Sequence, residues 1–88
     1  MHNIPERATI VDVRTPKEFR QGAYPGAINI PVEEIQSRIQ EFNKMQLPIV
    51  LYCRSGNRSG IAVSILKQGG INDVYNGGGL EDMLQQAR

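Results

Sequence analysis

The chain of 88 residues has one cysteine, Cys53, one histidine, His2, and no tryptophan. A single cysteine excludes an intrachain disulfide framework, and one cysteine with one histidine leaves no zinc motif, so no metal is expected. His2 sits at the N-terminus, which makes a cysteine–histidine protease pair with Cys53 an unpromising reading. No apolar run approaches the ~18 residues of a membrane span, and no Gly-x-x-x-x-Gly-Lys-Ser/Thr nucleotide loop is present. The start, Met1-His2-Asn3-Ile4, lacks the basic and then apolar regions of a secretory signal. As it stands the chain is expected in the cytoplasm, with the periplasm as the alternative had a signal been removed.

Charge is also scarce. With 22% charged residues, 40% hydrophobic residues and a net charge of +1, the composition is that of a soluble globular domain, and nucleic acid is not expected as a partner. Acidic residues are absent from Phe42 to Asn72, where Lys44, Arg54, Arg58 and Lys67 fall. The surroundings of Cys53 are therefore positive, which suits an anionic substrate. Residues 1–88 are read as one domain, below the ~100–150 typical of domains.

What is present is an alternation of strand and helix patterns. Ala8 to Val13 is a β-branched run that reads as a buried parallel strand. Thr15-Pro16-Lys17-Glu18 opens a short helix with a capping signature, and Gly22 ends it. Ala27 to Ile30 is a very short strand after the Pro25-Gly26 turn. Val32, Ile35, Ile39 and Phe42 at helical spacing predict a second helix. Ile49-Val50-Leu51-Tyr52 is the most apolar strand and runs into Cys53. A helix from about Ser59 is expected to bury Ile61, Ala62, Ile65 and Leu66, and Gly69-Gly70 end it. Asp73-Val74-Tyr75 reads as a last strand and Gly77-Gly78-Gly79 as a loop, either close to Cys53 or a plain flexible connection. Leu80, Met83 and Leu84 predict a final amphipathic helix. Alternating elements of this kind imply an α/β fold with a small, mostly parallel four-stranded sheet, in which ligands bind beyond the carboxyl ends of the strands.

Cys53 lies at one of those ends, in Cys53-Arg54-Ser55-Gly56-Asn57-Arg58-Ser59. A strand, a short loop with glycine and arginine, and a helix is the layout of an anion cradle around a nucleophile. The helix N-terminus is expected to lower the thiol pKa first, and Arg58 and Arg54 second. Arg58, at the helix start, is expected to close the cradle more tightly than Arg54, which can face outward. Asp12 and Arg14 are expected to support structure, with a pair between Arg14 and Glu18 as one way to do so at the end of the first strand, and the tyrosines Tyr24, Tyr52 and Tyr75 are expected in the core or at its rim.

Three segments together resemble the rhodanese homology domain: Ile10 to Phe19, Gly22 to Pro31, and Cys53 to Ser59. The ending Asn76-Gly77-Gly78-Gly79-Leu80-Glu81-Asp82-Met83 is similar to the short bacterial phage-shock-protein E type. The frequent Gly-His-Ile-Pro-Gly of the family is Gly22-Ala23-Tyr24-Pro25-Gly26 here, and the frequent tryptophan after the late glycines is absent. The resemblance implies a three-layer α/β/α sandwich and transfer of a sulfane sulfur from thiosulfate, or a similar donor, to cyanide or a thiol. Cys53 would carry the persulfide, and Arg54, Ser55, Gly56, Asn57, Arg58 and Ser59 would bind the substrate. It implies no cofactor, a small anionic donor, a thiophilic acceptor that can be a thiol-bearing protein, and a monomer. Two other readings remain open. One is a phosphatase or arsenate reductase, against which the Cys-x4-Arg spacing argues because those relatives use Cys-x5-Arg. The other is a sulfur carrier or redox-sensing module with little turnover.

Overall fold

In the computed structural model, which describes residues 4–86, strand β1 (Thr9–Asp12) is followed by helix α1 (Pro16–Arg20) and strand β2 (Ile28–Asn29). Two 3₁₀ turns (Val32–Glu34 and Gln36–Arg38) lead into a short helix, α2 (Ile39–Phe42). Then come β3 (Ile49–Cys53), α3 (Asn57–Gln68), β4 (Val74–Gly79) and α4 (Leu80–Gln86). All strand pairs are parallel, in the order β2-β1-β3-β4. β3 is central and buried at every position, which explains its unbroken apolar sequence.

Because side chains alternate along a strand, β3 feeds two cores. Ile49, Leu51 and Cys53 join Val11, Val13, Ile35, Phe42, Ala62 and Leu66 on the face covered by α3 and the 32–42 segment. Val50 and Tyr52 join Ile10 and Met83 on the opposite face, under α4. The layers are therefore helix, sheet and helix, the arrangement of a three-layer α/β/α sandwich.

Several local expectations change. The segment from Val32 to Phe42 is not one helix: Arg38, at φ −114° and ψ 20°, interrupts it. Val32 and Ile35 are three residues apart, a spacing that a 3₁₀ turn satisfies as well as an α-helix. Arg38 then ties the pieces together through Glu34 (3.0 Å) and Glu41 (2.7 Å). Helix α3 starts at Asn57 and buries Ser59, Ala62 and Leu66, which leaves Ile61 56% exposed and Ile65 partly buried. The glycines Gly77, Gly78 and Gly79 belong to β4, and Gly79 pairs with Cys53. The register shifts between Leu51 and Cys53, so β4 carries an extra residue in a bulge beside the cysteine.

Candidate active site

The site is built at the carboxyl end of β3. Gly56 has a φ of +99°, a conformation costly for any side-chain-bearing residue. That turn brings the Gly56 N–H to within 3.0 Å of Cys53 Sγ. Ser59, in the first turn of α3 and fully buried, places its hydroxyl 3.4 Å from the same sulfur. Burial pushes the Cys53 thiol up, but the Ser59 hydroxyl and the N–H groups of Ser59, Ser55 and Gly56 outweigh it, and the net direction is down. The lowering thus comes from hydrogen bonds at the helix start, and neither loop arginine is among its main causes. Cys53 itself is only 1% exposed, so the sulfur lies covered by the loop and its neighbours.

Glycine in β4 makes this loop possible. A Cβ on Gly79 would collide with the carbonyl oxygen of Arg54. Backbone of β4 therefore lies directly against the loop, and the Gly79 N–H is held by Asp82 Oδ2 at 2.9 Å. Of the two expected roles for the late glycines, proximity to Cys53 is the one realised.

Of the two loop arginines, Arg58 is placed differently from expectation. The Arg58 guanidinium forms a two-pronged pair with Glu18, at 2.8 and 3.1 Å. Glu18 offsets the positive charge that Arg58 adds at the helix start. The Arg58 guanidinium beside Glu18 holds that carboxyl down at about 2, with the Thr15 backbone contributing. Thr15 and Glu18 complete the expected capping box of α1. Glu18 is therefore not the partner of Arg14. Arg14 instead binds Asp12, at 2.7 Å through its Nη2, and the Gly22 carbonyl at 2.7 Å. Arg54 is exposed and forms one wall of an open cavity of about 460 Å³, together with Arg14, Glu18, Leu80 and Glu81. Ser55 and Asn57 are exposed at the turn and the first position of α3.

A buried network supports the site from the neighbouring strand end. Asp12 is fully buried and accepts two-pronged bonds from Arg14 and one from the Tyr52 hydroxyl at 2.8 Å. The Tyr52 oxygen in turn accepts the Tyr24 N–H at 2.9 Å. Desolvation first, and the Asp12 carboxylate after it, push the Tyr52 hydroxyl up to about 12. Arg14 also stacks over the Tyr52 ring, 5.6 Å from its centre, a cation–π arrangement. Of the tyrosines, Tyr52 is core, Tyr24 packs partly buried against it, and Tyr75 is 46% exposed. His2 lies outside the described residues. Among the described residues no group of three or more His, Cys, Asp or Glu side chains is placed to hold a metal ion.

Asn76 is a site residue that the sequence reading missed. Its side chain joins Ser59 (2.7 Å) to the Gly56 carbonyl (3.0 Å), both members of the loop. An asparagine before a run of glycines reads as a turn residue, and only the β3–β4 pairing discloses its position.

Comparison with known proteins agrees with this architecture. The chain is 40% identical over 74 residues to thiosulfate sulfurtransferase PspE of Escherichia coli, covering 83% of this chain and 71% of that protein. It is 39% identical over 70 residues to YqhL of Bacillus subtilis, an uncharacterised protein, covering 80% of this chain and 55% of the relative. The chain thus spans roughly half to seven tenths of the length of these relatives. A solved structure of a rhodanese with anions from E. coli superimposes with a TM-score of 0.77 at 38% identity, covering 85% of this chain and 89% of that one. The family description of rhodanese-like domains matches residues 1–85, nearly the full length, and the protein therefore belongs to the rhodanese-like domain family.

Proposed function

We propose that this protein is a sulfurtransferase that moves a sulfane sulfur from thiosulfate, or a donor of the same chemistry, to a thiophilic acceptor through a persulfide on Cys53. The observation that carries the reading is the convergence of the Gly56 N–H and the Ser59 hydroxyl on Cys53 Sγ in a chain of this family. Such donors stabilise a thiolate, the nucleophilic form of the residue.

In the first half-reaction the Cys53 thiolate attacks the outer sulfur of thiosulfate. The Sγ–S bond forms, the sulfur–sulfur bond of the donor breaks, and sulfite leaves with the electron pair. In the second, cyanide or a thiolate attacks the outer sulfur of the persulfide and takes it as thiocyanate or as a new persulfide, which returns Cys53 as thiolate. Charge balances in both steps, and no external oxidant or reductant is needed. The loop N–H groups hold the anionic sulfur throughout. Arg54, exposed at the cavity wall, supplies the positive charge that meets the incoming sulfonate, since Arg58 is engaged by Glu18. The burial of Cys53 favours a small donor.

The test is steady-state turnover with thiosulfate and cyanide, followed as thiocyanate, beside turnover of a chromogenic phosphate ester. Ping-pong kinetics with thiocyanate formed and the ester untouched is expected. Ester hydrolysis without thiocyanate would assign the loop to phosphoryl chemistry. Sulfur loading with negligible turnover on every small acceptor would make the protein a carrier that serves a protein partner.

A further inference from the structure

We propose that Asn76 is a positioning residue of the Cys53 site: its carboxamide fixes the Gly56 carbonyl and shares one hydroxyl proton, that of Ser59, with the sulfur. Its amide orientation is unambiguous. The Gly78 N–H, 2.9 Å away, can only donate, so the atom it meets is Oδ1. Nδ2 then faces the Gly56 carbonyl at 3.0 Å and donates to it.

Counting acceptors places the Ser59 proton. The Gly56 carbonyl receives the Gly60 N–H at 3.0 Å and Asn76 Nδ2, which occupies both of its lone pairs. Ser59 Oγ, 3.2 Å from that carbonyl, is therefore a third claimant there. Two acceptors remain for its proton: Asn76 Oδ1 at 2.7 Å and Cys53 Sγ at 3.4 Å. With Cys53 as a neutral thiol, the S–H donates to Ser59 Oγ and Ser59 donates to Asn76. When the thiol ionises it stops donating and becomes the stronger acceptor, and the hydroxyl turns from Asn76 to sulfur. Ser59 can make that turn without moving its oxygen, because Asn76 and the sulfur flank it. Asn76 thus holds the hydroxyl in place in the resting state and releases it to the nucleophile.

The charged groups nearby are Arg58, paired with Glu18, Arg54 in the loop, and Asp82, bonded to the Gly79 N–H. Among the described residues no hydrogen bond joins any of them to Ser59 or Asn76. The proposal rests on the sulfur-transfer reading only for the use made of the thiolate, and its test does not require sulfur transfer.

In the wild-type protein, the side-chain amide resonances of Asn76 are followed by NMR through the ionisation of Cys53, and the titration is repeated in Ser59→Ala. A shift at the Cys53 midpoint that largely disappears in Ser59→Ala is expected; a shift of equal size in both proteins reports only the field of the thiolate and overturns the proposal, as does no shift at all. Asn76→Asp replaces the Nδ2 donor with a carboxylate oxygen and adds negative charge, so the pH profile of Cys53 alkylation by neutral iodoacetamide is expected to move up by about one unit, a roughly tenfold slower rate at any pH well below the wild-type midpoint, with the rate at high pH retained. A variant that is less stable but alkylates with the wild-type pH profile would reduce Asn76 to a structural tie.

Discussion

The ends of β1 and β3 lie side by side, with Asp12 in register with Tyr52 and Cys53 one residue beyond, yet they use polar groups in opposite ways. At β1 the polar atoms belong to side chains and satisfy one another: Asp12, Arg14 and Tyr52 form a closed set in which each charge is paired. At β3 they belong mainly to the backbone, and they converge on a single atom, Cys53 Sγ. A closed network gives rigidity, because its charges are already paired with one another. A convergent one favours whichever form of its centre carries negative charge: the thiolate and, in the proposed reaction, the persulfide. The Glu18–Arg58 pair belongs with the closed kind although it borders the loop, so in the proposed reaction the task of attracting the donor falls to Arg54.

The largest contrast is at the nucleophile. Cys53→Ser should abolish sulfur transfer while leaving the thermal midpoint near that of the wild type, since a hydroxyl fits the space but carries no persulfide. Thiocyanate assays and calorimetry on the same sample check this, and residual turnover above a few per cent would contradict it. Asp12→Ala should do the reverse. It strands the buried Arg14 guanidinium and should cost about 3–5 kcal/mol of stability, read by urea denaturation, while the pH profile of Cys53 alkylation in the folded protein stays in place.

The arginines sharpen the comparison. Arg54→Ala should lower kcat/KM for thiosulfate by about ten- to a hundredfold, equivalent to ~1.5–3 kcal/mol of charge-assisted contact. Arg58→Ala should have a smaller effect, because Glu18 already holds that charge. Equal effects would place both guanidinium groups on the substrate. Tyr52→Phe should cost about 1–3 kcal/mol, because the Tyr24 N–H and Asp12 Oδ2 each lose a buried partner, with kcat/KM per folded molecule unchanged.

The smallest effect concerns acid. The folded pKa of Glu18, about 2, lies below its ordinary value of 4.5, so the pair stabilises the fold above that ordinary range and the contribution is lost as pH falls toward 2. The side chains are partly exposed, which limits the amount to roughly 0–1 kcal/mol. Glu18→Gln should be less stable than the wild type at pH 6 and converge with it near pH 2; a constant difference would show that the carboxylate charge plays no part.

Local signals were legible before the structure. The capping box of Thr15 and Glu18, the apolar β3 and the cysteine loop are each contained within a few consecutive residues. Phase and partnership were harder to read. Ile61 reads as core by hydrophobicity, but the buried stripe of α3 runs through Ser59, Ala62 and Leu66. The polar Ser59 occupies a stripe position because it faces the sulfur, and this hides the true phase. The late glycines read as a loop because glycine weakens strands, whereas here the missing side chains let β4 lie against the Arg54 backbone. Arg14 takes Asp12, two residues away, in place of the expected Glu18, and Arg58 takes Glu18 from forty residues away, a pairing that sequence distance does not suggest. Asn76 becomes a site residue only once β4 is set beside β3.

The central claim is that the convergent loop makes Cys53 a sulfur carrier. Intact mass spectrometry after treatment with thiosulfate tests it most directly. The account predicts a gain of one sulfur atom per chain, removed by cyanide and absent in Cys53→Ser. An unchanged mass in the wild type, or the same gain in Cys53→Ser, would contradict it.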